Sequence, residues 1–296
     1  MERARLKSPV RQRNTQRDRR ASLSGLAVAG AFLLAGCDSV AGIPGDEPGP
    51  VVSQAHTTPP AAIPAPVTPT LAPPPADAPP VGAVPGVPEA APALQRWAAD
   101  LSSKTLAELQ DKCWIIPPRS AQEMYADEAT ILEALAKPGT ATKNTVTWKS
   151  ADATVTAERD AVTSGYACPR VFPAGAQVGY DDADARHTVR RYLSRFVGSP
   201  LDPADKEGDY PLLCNANPAS WDPNGTGKPI PAPLFNNSGR LTGTTKFADQ
   251  QIGSERLRGD YIAVTVPVTN SSGATQTRTF TLVEQPEGYC IGDVSG

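Results

Sequence analysis

Histidine, methionine and long apolar runs are scarce in this chain of 296 residues, which holds two histidines and two methionines. No His-Glu-x-x-His, no Gly-x-Ser-x-Gly and no Ser-x-x-Lys set with its companion motifs occurs, so common zinc-hydrolase and serine-nucleophile signatures are missing. No apolar run reaches the roughly 20 residues that a bilayer-spanning helix requires. Positive charge is concentrated at the start. Residues 1–36 carry eight Lys/Arg against two acids, leaving 20 basic and 29 acidic side chains in the rest, a net charge of −9. That balance argues against nucleic acid or an anionic membrane surface as a charge-driven partner.

What is present begins with an export signal. Arg3, Arg5, Lys7, Arg11, Arg13, Arg17, Arg19 and Arg20 precede an uncharged apolar segment, residues 23–35, about half the length of a membrane span. The segment ends at Leu34-Ala35-Gly36-Cys37, which resembles the bacterial lipobox in full. The resemblance implies a diacylglyceryl thioether on Cys37, cleavage after Gly36 and acylation of the new amine with a chain such as palmitate. Two or three acyl chains anchor a protein stably where one does not. The expected location is therefore the cell membrane, lipid-anchored, on its extracytoplasmic face. The competing reading is a free cysteine beside an ordinary signal cleavage site. Arg19-Arg20 with Leu23 also fits part of a twin-arginine signal, whereas Asp18 and Ser22 do not.

Residues 37–92 read as the lipidated cysteine followed by a spacer. Half of the 32 prolines lie between positions 41 and 92, among Ala, Val, Gly and Thr, with no aromatic residue. Pro73-Pro74-Pro75 and Pro79-Pro80 lack amide donors and fix φ, favouring polyproline II over helix or sheet. Such a tract extends by up to ~3.1 Å per residue, on the order of 160 Å in all. Ligands for a proline-recognition domain are the alternative.

The remainder divides into two halves, 93–175 and 176–296. In the first, Leu94, Trp97, Ala98, Leu101, Leu106, Leu109 and Cys113 recur at helical spacing, and residues 123–135 form a second helical candidate stopped by Pro138-Gly139. Residues 145–149 and 154–159 alternate as a hairpin. In the second half, Asp182 or Asp184 caps a helix with Val189, Tyr192, Leu193, Phe196 and Val197 on one face. A shorter helical piece is expected over 203–214. Ile262, Val264, Val266 and Val268 share one face of a strand whose Pro267 predicts an edge or a bulge, and residues 277–284 return with Phe280 and Leu282 inward. This order of helices followed by hairpinned strands resembles the NTF2-like fold, in which helices fill the hollow of a curved antiparallel sheet. It is also similar to actinobacterial-type lipoproteins with Ala/Pro-rich linkers. The fold class implied is α+β, the C-terminal half NTF2-like, with the first half related or accessory.

Beyond Cys37, four cysteines remain: Cys113, Cys168, Cys214 and Cys290. An even number in an exported chain predicts two disulfides. Zinc competes, but no Cys-x-x-Cys occurs. Helix followed by hairpinned strands recurs in the second half, and of three connectivities this repeat picture selects Cys113–Cys168 and Cys214–Cys290. His187, among Arg186, Arg190 and Arg191, reads as a solvated helix residue. Gly225-Thr226-Gly227-Lys228 lacks the spacing of a phosphate loop, and Asp181-Asp182-Ala183-Asp184 lacks the glycine and distal glutamate of a calcium loop. No catalytic residue, metal ligand or cofactor is assigned. The candidate partner-binding residues are Trp221 and Phe235 in a long Pro/Gly-rich loop, 218–237, and Arg190 and Arg195 on a basic helix stripe. The functional expectation is an envelope-anchored binding or assembly module engaging an envelope protein or ligand. The alternatives are a small-ligand or lipid pocket inside the cone, and an NTF2-like enzyme with an acid/base pair there.

Overall fold

The computed structural model describes residues 72–295. The export signal, Arg19-Arg20, Cys37, His56 and the first part of the spacer lie outside the described residues. What is described is an α+β structure of two lobes, each built on its own curled antiparallel sheet.

The first lobe opens with α1 (Ala90–Ser103) and α2 (Leu106–Lys112). Sequence periodicity predicts one helix here. Thr105 divides it, because its hydroxyl accepts from the Glu108 amide while the Glu108 carboxylate accepts from the Thr105 amide, a reciprocal cap that starts a new helix. The expected 123–135 helix is divided for the same reason. α3 (Pro118–Met124) ends before Asp127, whose carboxylate caps α4 (Glu128–Leu135) at the Thr130 amide. Strands β1 (Thr140–Ala141), β2 (Thr145–Lys149), β3 (Ala153–Glu158) and β4 (Arg170–Pro173) pair in sequence order, with α5 (Arg159–Thr163) between the last two. Helices and sheet enclose a core that includes Leu94, Trp97, Leu109, Ile131, Leu135, Val146 and Trp148.

The spacer ends earlier than its composition predicts. The Gly82 amide donates to Leu135 O at 2.7 Å, Trp148 Nε1 donates to Gly82 O at 2.8 Å, and the Gly139 amide donates to Ala83 O at 3.0 Å. Val84 and Val87 are buried in the first core. The last stretch of the Pro-rich tract is thus a strap on this lobe. Extended backbone serves a strap as well as a free spacer, and the buried valines decide between them.

The second lobe starts at α6 (Asp182–Phe196), capped by Asp181 and Asp184 in a reciprocal box. The short helix expected over 203–214 does not form. Instead Asp205 is drawn to Arg191 and Arg195, and Leu213 bridges the last strand in parallel. Two 3-10 turns, Pro233–Asn236 and Ser238–Leu241, lead into β5 (Thr244–Phe247). β6 (Gly253–Arg256), β7 (Tyr261–Asn270), β8 (Thr275–Gln285) and β9 (Gly288–Ser295) complete the lobe. The sheet order is β5-β7-β8-β9, with β6 also on β7. β7 is therefore central, and Pro267 needs neither the edge nor the bulge expected of it. Its ladder partner changes from β6, opposite Thr265, to β5, opposite Val268, so its missing amide falls in the gap while its carbonyl accepts from Ala248. Ala185, Val189 and Leu193 of α6 fill the hollow against Ile262, Val264, Val266, Val268, Phe280 and Leu282.

Both disulfides form as the repeat picture selects, with Cα separations of 5.6 Å for Cys113–Cys168 and 4.8 Å for Cys214–Cys290. Each closes within one lobe. Among the described residues no helix is long and apolar enough to cross a membrane.

Candidate functional site at the lobe junction

The two apolar cores share no residue, so the lobes meet through polar and aromatic groups. Arg170 of β4 reaches Asp184 of α6 with both terminal nitrogens, at 3.2 and 2.7 Å, and its guanidinium lies 4.4 Å from the centre of the Tyr180 ring. The Tyr180 hydroxyl donates to Glu158 at 2.9 Å, and Asn144 Nδ2 donates to Glu287 at 2.5 Å. At the other end, Trp114 stacks edge-on to Tyr210 at 4.9 Å and carries Arg191 over its ring at 4.9 Å.

An open cleft of about 760 Å³ lies along this junction. Met124, Val171 and Phe172 form its first-lobe wall; Tyr180, Glu284 and Pro286 form its second-lobe wall. Its lining holds five carboxylates against the single guanidinium of Arg170, and no histidine or cysteine. Much of that acidity is engaged. Asp184 holds Arg170 and the Asp181 amide, and Glu284 accepts from the Tyr180 amide and the Tyr289 hydroxyl. Burial pushes the Glu158 carboxyl above the usual range, against the hydrogen bond from Tyr180 and the charge of Arg170. Burial raises Asp184 as well, with Arg170 pulling the other way. The Tyr289 phenol is pushed up to about 12 by burial, with Glu284 adding to the shift. Within the arrangement the Tyr180 phenol is tied to Glu158, and Asp184 and Glu284 are each held by neighbouring donors.

The residues singled out in the sequence are dispersed. Arg190 is paired with Asp249, and Arg195 with Asp205 and Glu207, so the basic stripe is neutralised within the molecule. Trp221 is 5% exposed and packs in a small cluster with Cys214, Ala232 and Tyr261, on the side of the sheet away from α6. Of the loop candidates, Phe235 stays in solvent at 50% exposure. The Asp181–Asp184 run serves as a helix cap. His187 is 5% exposed and buried at the junction, where its Nε2 lies 2.8 Å from Trp114 O; the solvated position expected of it is incorrect. Periodicity places His187 beside three arginines, and the partner lobe that covers it is invisible to a local pattern. Arg170, Tyr180, Glu158 and Glu284 carry no local signal either, since they converge from four separate segments. Among the described residues, no group of three or more His, Cys, Asp or Glu is placed to hold a metal ion.

Compared with protein-family models, curated proteins and solved structures, the chain matches none.

Proposed function

We propose that this protein is an extracytoplasmic lipoprotein, anchored through Cys37, that works as a binding or assembly module and meets its partner at the cleft between its two lobes. The observation that carries the reading is the filled hollow of the second lobe. An NTF2-like cone used as a container needs space between helix and sheet, and here Val189, Leu193, Phe280 and Leu282 occupy it. The filled hollow favours this reading over the pocket and enzyme alternatives, and a solid, disulfide-stapled platform suits surface recognition. The oxidised cysteines agree with a site outside the cytoplasm. The rest of the spacer would carry the platform clear of the bilayer.

Two experiments test this. Cys37→Ser is expected to abolish labelling by a fatty-acid probe and to release the protein or stall its precursor; normal processing with membrane retention would exclude the lipid anchor. A photocrosslinking residue at Val178, half exposed on the cleft rim, should capture an envelope partner in intact cells. The same residue at Thr277, exposed on the second sheet, should not. Capture only from Thr277 would move the binding surface elsewhere.

A further inference from the structure

We propose that His187 is a proton-operated latch between the lobes: neutral, it holds the Trp114 carbonyl, and once protonated it is released to water and the lobes part. This goes beyond the binding role and does not depend on it, although both lobes wall the cleft and their parting would widen it.

The hydrogen bond fixes the tautomer. A carbonyl oxygen only accepts, so the imidazole must donate from Nε2, 2.8 Å from Trp114 O. Nδ1 is then the bare nitrogen, and it is buried with no hydrogen-bond partner among the described residues. A proton arriving there would create a cation without a counter-ion. On its own helix His187 is flanked by Arg186, Arg190 and Arg191. The nearby acids are taken: Asp184 by Arg170, Asp205 by Arg191 and Arg195, and Asp249 by Arg190. From the first lobe Trp114 contributes a carbonyl and a ring, and the ring already faces Arg191; from the segment after α6 the neighbour is the Tyr210 ring. Burial, with Arg191 and Arg190 adding to it, pulls His187 down to about 4, while the Trp114 carbonyl and Asp205 pull the other way.

Release restores the ordinary imidazole value near 6.5. A group whose value is lower in the closed form than in the open one drives opening as pH falls from about 6.5 towards about 4. The fold permits such opening, because no apolar core spans the junction and the covalent connection is a short segment, residues 174–180, with Gly175 at φ 76°. Inter-domain surfaces of this polar kind allow relative motion. Glu158 acts in the opposite sense. Its carboxyl, facing Tyr180, Arg170, Asp160 and Glu287, is raised by burial and so favours the closed form as it gains a proton.

The four tryptophans report on this directly. Trp97 and Trp148 lie in the first core, Trp221 in the second lobe, and Trp114 at the junction. In the full-length chain labelled with 5-fluorotryptophan and held in detergent micelles, fluorine NMR between pH 7 and pH 4.5 should show Trp114, half-buried in the closed form, becoming more solvent-accessible, its open-to-closed ratio rising roughly tenfold or more. The other three resonances should stay in place. His187→Gln retains a donor for the carbonyl but does not titrate, so its Trp114 should stay packed against Tyr210 and Arg191, as at pH 7. Glu158→Gln removes the opposing titration and should enlarge the response. An unmoved Trp114 in the native chain would overturn the latch, as would equal movement in His187→Gln or joint movement of all four signals. If His187→Gln does not fold, the ring protons decide. The chain has only His56 and His187, and the latch requires His187 to titrate in step with the change in Trp114 exposure; titration near 6.5 with the Trp114 signal unmoved would refute it.

Discussion

The two lobes reach order by different means. In the first, five helices and a strap pack on a four-stranded sheet around one continuous apolar core, and the disulfide joins Cys113, buried in that core, to Cys168 at its margin. In the second, one long helix fills the hollow of the sheet, while residues 197–232 contain neither helix nor strand beyond isolated bridges. That long segment is held by Cys214–Cys290, by Trp221 against Tyr261, and by the Asp205 pairs to Arg191 and Arg195. Where apolar periodicity is dense, burial organises the chain and the disulfide adds to it. Where periodicity is lacking, cross-links and ion pairs take over that work.

The disulfides offer the largest test of this contrast. For sequence separations of 55 and 76 residues, chain entropy gives about 4 kcal/mol for each bond, and that value is an upper guide. Replacing Cys214 and Cys290 by serine should approach it and expose Trp221 before the sheet melts. Replacing Cys113 and Cys168 should cost less and leave Trp97 and Trp148 buried. Urea unfolding followed at each tryptophan reads both; simultaneous melting of the two lobes after either change would break the comparison.

Next in size is Asp205→Asn, which leaves the Arg191 guanidinium without a carboxylate in a buried site, while Arg195 keeps Glu207, and should cost the second lobe about 3 kcal/mol. Burial opposes the charge of Asp205, but Arg191 and Arg195 prevail and hold its carboxyl below the usual range. The stability it contributes is full above the ordinary carboxylate value and is lost as pH falls through that range. The variant should therefore flatten the acid limb of the second lobe's stability curve and leave that of the first unchanged.

Two glycines sharpen the comparison at a smaller scale. A Cβ at Gly82 would lie 1.8 Å from the Lys137 carbonyl oxygen, and one at Gly292 would lie 2.0 Å from the Trp221 ring. Gly82→Ala should loosen the strap and Gly292→Ala should lift the Trp221 loop, each costing roughly 1–3 kcal/mol. Limited proteolysis locates the effect: new cuts near residue 82 in the first variant, and within 218–237 in the second. At the small end, Phe235→Ala should change stability by less than about 0.5 kcal/mol, because its side chain is half in solvent.

Much of this architecture is legible in the chain. The strand faces of Ile262, Val264, Val266 and Val268 and of Phe280 and Leu282, the helix from Asp182 and the hairpin over 145–158 follow from spacing, and the two cystine pairings from reading the halves as repeats. The breaks at Thr105 and Asp127 were legible too, since Thr-x-x-Glu and an Asp before an apolar run are cap signals, but the stronger helical period masks them. The strap is harder to read. Its prolines and glycines describe an extended chain without saying whether anything covers it.

The candidate site was not legible. Its residues come from α3, β3, β4, the connecting segment, α6 and the end of β8 with the turn after it, and local pattern carries no term for which charges will meet across a junction. His187, Arg190 and Arg191 show why: on a helical wheel they belong to a basic face, yet His187 is covered by Trp114 and the two arginines are paired when Asp249 and Asp205 arrive from elsewhere. Sequence alone determined the element types, the inward faces of the strands and the number of cross-links, because these depend on periodicity and cysteine parity. Tertiary structure decided which charges are free, where the spacer ends and which hollow is filled, because those depend on surfaces that only the folded chain brings together.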